Sequence, residues 1–124
     1  MRSAALIFFG LLACSKPAPQ ASPPFSPEDV TAKYFTALGN GDCPGITANT
    51  GGALAKEIAT LGCAASLDEA KSHGMKFLGS ENMRPDGRDS NARLIDVRLS
   101  ADGKEKKVIA RLELVNDAWK IVTL

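Results

Sequence analysis

The chain has 124 residues, of which 23% are charged, with 15 basic and 14 acidic side chains. This length allows one domain, and the composition is that of an ordinary folded protein. The balance of charge argues against a nucleic-acid-binding protein, which would present a basic face, and against a polybasic membrane patch. We therefore expect one nearly neutral domain whose partners do not include nucleic acid.

Residues 1–13 have the pattern of a signal peptide. Arg2 supplies a positive charge, and the apolar stretch 4–13 is shorter than the ~20 residues that a membrane-spanning helix needs. The stretch ends in Leu11-Leu12-Ala13-Cys14, which resembles a bacterial lipobox. The resemblance implies cleavage before Cys14, acylation of that cysteine by a fatty acid such as palmitate, and attachment to a membrane of the cell envelope. An ordinary secretory signal is the alternative.

Residues 14–25 are rich in proline, which disfavours helices and sheet ladders. A polyproline-like tether of about a dozen residues reaches roughly 35 Å, at ~3.1 Å per residue. It would hold the following domain off the membrane. By resemblance to the enterobacterial sorting rule, Ser15 after the lipidated Cys14 favours the periplasmic face of the outer membrane, in a host that has one.

The folded domain is predicted to begin with a helix at residue 26. Ser26-Pro27-Glu28-Asp29 combines a preferred N-cap residue, proline at the first helical position and acidic residues in the first turn. Apolar side chains then recur four apart, and Gly39-Asn40-Gly41 ends the pattern. The members of this apolar face are Val30, Tyr34 and Leu38.

Two shorter helices are predicted to follow. Residues 53–61 carry an apolar stripe that ends at Gly62. Ser66-Leu67-Asp68-Glu69 has the spacing of a capping box, and we expect it to open a helix that ends at His73-Gly74.

From residue 75 the apolar period changes to that of strands. The Asp-Gly pair at 102–103 and the Asn-Asp pair at 116–117 predict hairpin turns. Helices followed by an antiparallel meander indicate an α+β fold, with the N-terminal helices packed on a curved sheet of about four strands. The predicted strands are 75–81, 92–100, 107–115 and 118–124, with a turn-rich loop at 84–89.

Residues 26–124 as a whole resemble a known superfamily. The features are the opening helix, the Gly41-Asp42 that follows it, two short helices, and strands that end in Leu112-Glu113-Leu114-Val115-Asn116-Asp117-Ala118-Trp119-Lys120-Ile121-Val122. They resemble the nuclear transport factor 2-like (cystatin-like) superfamily, in particular its small bacterial lipoproteins. The resemblance implies a cone, in which a bent sheet wraps a long helix and an open end can form a pocket. Members include isomerases, dehydratases, polyketide cyclases and many proteins without catalysis, so the fold does not give the function.

Cys43 and Cys63 are the cysteines that remain once Cys14 carries lipid. An envelope protein matures where disulfides persist, and the even count favours a Cys43–Cys63 bridge. Closing a loop of about 20 residues would stabilise the fold by ~3 kcal/mol. The alternatives are buried free thiols and a metal site with His73. The sequence has no Cys-x-x-Cys and no second histidine, which disfavours a metal.

His73, Asp42 and Asp96 are the residues considered for catalysis. A histidine at a helix end is common because of the helix dipole, and an aspartate after Gly41 is typical of a turn. Asp96 is expected to face solvent, opposite the apolar face of its strand. The chain has no glycine-rich phosphate loop, nucleophile elbow or metal motif, and we expect no cofactor.

Tyr34, Phe35, Phe77 and Trp119 could line a pocket, although aromatic residues at these spacings are more often plain core. We expect a non-catalytic binding domain for a small apolar ligand or another envelope protein, as a monomer or homodimer. One alternative is an isomerase- or cyclase-type enzyme, which needs an acid or His73 inside the cone. The other is a structural or inhibitory module that acts through strand edges.

Overall fold

The computed structural model describes residues 23–124, which form four helices followed by a four-stranded antiparallel sheet. The α+β prediction is therefore confirmed. The predicted signal peptide 1–13, Cys14 and most of the tether lie outside the described residues. Between residues 23 and 124, no helix combines the length and the apolar character needed to cross a bilayer. The elements are α1 Pro27–Asn40, α2 Cys43–Ala48, α3 Gly52–Leu61, α4 Cys63–Ser72, β1 Lys76–Asp86, β2 Asp89–Ala101, β3 Lys104–Val115 and β4 Ala118–Thr123.

Helix α1 begins and ends as the sequence predicts. The Ser26 hydroxyl accepts a hydrogen bond from the Asp29 N–H at 3.1 Å, and the Ser26 N–H donates to the Asp29 carboxylate at 3.3 Å. This reciprocal capping satisfies two N–H groups that the helix itself leaves unpaired. Gly41 takes the left-handed conformation, with φ 69°, and its N–H donates to the Ala37 carbonyl.

Helix α2 was not predicted. The Asp42 carboxylate caps it by accepting a hydrogen bond from the Gly45 N–H at 3.0 Å. Gly45 also lets α2 approach α1 closely, because a Cβ at this position would lie 2.9 Å from the Cβ of Ala37. The contact buries Ile46 completely against the core.

The prediction that Ser66 caps a helix is wrong. Helix α4 begins at Cys63, directly after Gly62, so Ser66 lies inside the helix rather than at its end. Gly62 ends α3 and starts α4 with φ 88°, a conformation that favours glycine. Ala64 and Ala65 are strong helix formers, and they extend α4 back beyond the capping-box motif.

The sheet is a simple meander in the order β1-β2-β3-β4. Both predicted hairpin turns are present: Asp102 and Gly103 have positive φ, as have Asn116 and Asp117, which suits tight turns between twisted strands. The predicted loop at 84–89 is wrong. Arg84 and Pro85 pair with β2, and the turn is confined to Gly87 and Arg88. Pro85 is tolerated because β1 is an edge strand.

The core lies between α1 and the inner face of the sheet. Val30, Phe35 and Leu38 project from α1 into it. The sheet contributes side chains that alternate along β2 and β3, as expected for a sheet with one covered face. The fully buried members from the sheet are Ile95, Val97, Ala110, Leu112 and Ile121.

A disulfide joins Cys43 to Cys63, as predicted. It connects the first residue of α2 to the first residue of α4. Helices α3 and α4 each have a single buried residue, Ile58 and Ala70 respectively, and the rest of their apolar contact with the core comes from the partly buried Leu54, Cys63 and Leu67. The covalent link fixes the start of α4 relative to α1 and α2.

Candidate ligand cavity

A cavity of about 470 Å³ opens between the helices and one end of the sheet. Helix α1 forms its floor, α3 and α4 form two walls, and the ends of β2, β3 and β4 close the remaining side. The volume lies within the range of pockets that bind small molecules, roughly 300–1,000 Å³. The apolar lining residues are Phe35, Leu38, Ala53, Leu54, Ala70, Met75, Leu99, Val108, Val122 and Leu124.

Three ionisable side chains also line the cavity: Tyr34, Glu57 and Glu69. They come from three different helices, α1, α3 and α4, which the fold brings together at this place. Glu57 and Glu69 are exposed and so lie at the mouth, whereas Tyr34 is only 3% exposed. The buried part of the lining is therefore mostly apolar, and the exposed part carries two acids beside the apolar Ala53 and Leu124.

The hydroxyl group of Tyr34 is in an unfavourable place for a negative charge. Burial raises its pKa above the ordinary value of 10.0, and the charges of Glu57 and Glu69 raise it further. Both carboxylates are thus close enough to act on the hydroxyl. No hydrogen bond among residues 23–124 involves this hydroxyl.

Two of the four aromatic residues considered as pocket lining line the cavity. Tyr34 and Phe35 do so, and their rings meet edge to face with centroids 4.9 Å apart. Phe77 does not line the cavity, but its ring stacks on that of Phe35 with centroids 5.4 Å apart. Trp119 lies elsewhere on the sheet, where the guanidinium of Arg93 stands 5.2 Å from its ring centroid.

The three residues considered for catalysis lie away from this cavity. Asp42 caps α2. His73 follows α4, and its Nδ1 is 3.0 Å from the carboxylate of Asp102 in the β2–β3 turn. Both partners are about half exposed. This pair joins the end of α4 to the sheet, together with the backbone bond from the Asp102 N–H to the His73 carbonyl.

The expectation that Asp96 is solvated is wrong. Asp96 lies on the outer face of the sheet but is only 7% exposed, because Asn82 and Arg84 reach across from β1 and cover it. The Asn82 amide donates to its carboxylate at 3.1 Å, and Arg84 donates at 3.2 Å. The hydrogen bond from Asn82, followed by the hydrogen bond and charge of Arg84, lowers the pKa of Asp96. Asp96 is a structural ion-pair residue.

The rest of the outer face is covered by paired charges. Arg111 contacts Asp86 and Glu113. Further ion pairs join Lys107 to Glu81 at 3.3 Å and Arg98 to Glu105 at 3.0 Å. Ile109 is the large apolar residue that stands exposed among them, at 52%. This face therefore offers charge rather than a broad apolar surface.

The two edges of the sheet differ. On β4, the Ile121 N–H donates to the Asn49 carbonyl at 3.0 Å, and its carbonyl accepts from the Gly51 N–H at 2.9 Å, so the segment before α3 covers this edge. The β1 edge is interrupted by register shifts and by Pro85, which has no N–H. Bulges and proline are devices that discourage an edge strand from pairing with another chain.

Glu57 and Glu69 were not predicted from the sequence as site residues. A signal for Glu57 was present: it stands three residues after Leu54 and next to Ile58, and therefore on the flank of the apolar stripe of α3. That the two acids meet at one opening depends on how α3 and α4 pack, which local patterns do not specify.

Within residues 23–124, no group of three or more His, Cys, Asp or Glu side chains is arranged to hold a metal ion. Comparison with protein-family models finds no family that matches this chain, and no curated protein matches it.

Proposed function

We propose that this protein is a lipid-anchored lipoprotein of the cell envelope whose α+β domain binds a small apolar molecule. The observation that carries the binding role is the cavity of about 470 Å³ between the helices and the sheet, with its largely apolar wall. A concave, mostly apolar pocket with a few convergent polar groups is the usual form of a small-molecule site.

The anchor is supported by the sequence. The lipobox-like Leu11-Leu12-Ala13-Cys14 would place acyl groups on Cys14, and the proline-rich residues that follow would hold the domain off the membrane. Ser15 favours the outer membrane in a host that has one. The chain would then present its cavity to the envelope space.

The cone-like arrangement of the nuclear transport factor 2-like superfamily belongs to the same proposal. The order of helices before a four-stranded meander supports it, as does the position of α1 against the inner face of the sheet. In that arrangement the cavity corresponds to the open end of the cone.

A small ligand is favoured over a partner protein that docks on the sheet. The outer face consists largely of paired charges, and one sheet edge is covered while the other is interrupted. Neither feature suits an apolar protein interface or strand addition. The cavity, unlike the outer face and the edges of the sheet, offers a concave apolar surface.

An isomerase- or cyclase-type enzyme is the second candidate. The observation that favours it is the presence of Glu57 and Glu69 beside the Tyr34 hydroxyl, because carboxylate and phenol groups can move protons on a bound molecule. Conversion of the bound molecule over time, lost in Glu57→Gln and Glu69→Gln, would support this candidate. A bound molecule that stays chemically unchanged supports the binding role.

The test uses N-phenylnaphthylamine, a neutral apolar dye that fluoresces when it leaves water. We expect saturable fluorescence with the wild-type chain. Ser66 lines the cavity from α4, so Ser66→Phe should fill it and abolish most of the signal. The matched control is Ala64→Phe, which adds the same ring to an exposed position of α4 outside the cavity. Equal dye binding by the two variants, or none by the wild type, contradicts the proposal.

A further inference from the structure

The charged side chains that line the cavity are all acidic. Its fifteen lining residues include two acidic side chains, Glu57 and Glu69, and no lysine, arginine or histidine side chain. The two acids belong to separate helices, α3 and α4, and both are exposed. The buried apolar lining residues, among them Phe35, Leu38 and Ala70, lie deeper, so an elongated guest would meet the carboxylates with one end only.

Neither of these carboxylates has a partner in the described part of the chain. Among residues 23–124, the side chains of Glu57 and Glu69 take part in no ion pair and no hydrogen bond. Other acids of the domain do form ion pairs: Glu81 and Glu105 are each paired with a basic residue on the sheet. The mouth of the cavity therefore carries two carboxylates that form no ion pair with the described part of the chain.

Tyr34 is the third ionisable side chain at the cavity, and only 3% of it is exposed. Its hydroxyl forms no hydrogen bond with residues 23–124. Most buried polar side chains have a hydrogen-bond partner, because an unpaired one costs free energy. An ammonium group has three N–H donors and no acceptor, so it can donate both to a hydroxyl oxygen and to carboxylates.

We infer that the ligand is a cationic amphipath, with an apolar body inside the cavity and a positively charged nitrogen at the mouth beside Glu57, Glu69 and Tyr34. This inference rests on the proposed binding function and names the class of ligand. The carboxylates repel an anionic head such as that of a fatty acid. A neutral head leaves both carboxylates without a counter-charge, and burial of the apolar body then supplies the affinity alone.

The experiment compares three eight-carbon probes that differ only in their head group: octylammonium, octanol and octanoate. Dissociation constants are measured by NMR titration of the mature chain, residues 14–124 carrying Cys14→Ser, so that neither an acyl chain nor the apolar stretch 4–13 competes for the probes. Exposed ion pairs are each worth about two- to fivefold in affinity, so two carboxylates should favour octylammonium over octanol by roughly tenfold. Octanoate should bind more weakly than octanol, and added salt should reduce both differences.

The variant Glu57→Gln/Glu69→Gln should abolish the preference for octylammonium over octanol. The matched control, Glu28→Gln/Asp68→Asn, removes two exposed acids that do not line the cavity and should keep the preference. Equal affinity of the three probes for the wild type overturns the inference but leaves the proposed function standing. A preference that survives in Glu57→Gln/Glu69→Gln also overturns it. Absence of binding by all three probes overturns the proposed function as well.

Discussion

Cys43 and Cys63, the first residues of α2 and α4, are joined by a disulfide across a sequence separation of 20 residues, with their Cα atoms 5.9 Å apart. Helix α4 carries Glu69 and Ser66, which line the cavity, but it buries only Ala70. The bridge therefore fixes a wall of the candidate site.

Removal of the bridge by Cys43→Ala/Cys63→Ala is expected to lower the free energy of unfolding by about 3 kcal/mol, because the denatured chain regains the entropy of an open loop. Urea denaturation followed by Trp119 fluorescence measures it, since the chain has one tryptophan. The affinity for N-phenylnaphthylamine should fall in the same variant. A loss of stability below about 1 kcal/mol, with unchanged dye affinity, would show that α4 is held without the bridge.

The position of the acids relative to Tyr34 can be tested by a spectroscopic titration. The chain has one tyrosine, so the alkaline absorbance change of tyrosinate reports its pKa directly. We expect that pKa to lie above 10.0 in the folded protein, and to move down in Glu57→Gln/Glu69→Gln while burial keeps it above 10.0. An unchanged pKa in that variant would place the carboxylates too far from the hydroxyl to share a ligand with it.

The pH dependence of stability is expected to carry a contribution from Asp96. Its folded pKa is lowered below 3.8 by the Asn82 hydrogen bond and then by Arg84, so the carboxylate stabilises the fold above about pH 3.8. That stabilisation is lost as the pH falls from 3.8 through the folded pKa. Asp96→Asn should therefore have a lower free energy of unfolding than the wild type at neutral pH. This difference should disappear as the pH falls below the folded pKa of Asp96.

Unfolding curves recorded across this pH range provide the measurement. Asp68→Asn is the matched control, because Asp68 is exposed and forms no ion pair among residues 23–124. If the difference in free energy of unfolding between the wild type and Asp96→Asn stays constant from neutral to acid pH, Asp96 does not stabilise the fold as a charged group.

Sequence patterns correctly predicted the elements that are determined by neighbouring residues alone. The capped start of α1 and the turns at 102–103 and 116–117 depend on a few adjacent residues, and all are present. The end of β1 was missed because Arg84 and Pro85 resemble a loop until β2 pairs with them. Ser66 has the spacing of a cap, but Gly62 starts the helix earlier. In each miss a contact or a stronger neighbouring signal prevailed over the local pattern.

The site was harder to predict than the fold. The burial of Asp96 depends on Asn82 and Arg84, which reach it from another strand. The meeting of Glu57 and Glu69 at one opening depends on the packing of two helices that are each weakly patterned. By contrast, the disulfide between Cys43 and Cys63 was predicted by counting cysteines, on the expectation that the chain matures where disulfides persist.

The anchor predicts a clear change of location. Cys14→Ala, made with a cleavable secretory signal in place of residues 1–13, should move the protein from the membrane fraction to the soluble fraction, because the acyl groups and the apolar stretch 4–13 would both be absent while residues 23–124 are unchanged. Fractionation with immunodetection measures this, and circular dichroism checks that the domain still folds. Membrane association that persists in Cys14→Ala would show that something other than lipid on Cys14 holds the protein.

The central claim is that the cavity holds a small molecule in the native envelope. Native mass spectrometry of the protein, extracted gently from its own membrane, tests it most directly. We expect a reproducible extra mass of roughly a few hundred daltons beyond the polypeptide and the acyl groups on Cys14, as suits a cavity of this size. This mass should be absent from Ser66→Phe and present in Ala64→Phe. A wild-type protein that carries only its acyl groups would contradict the account.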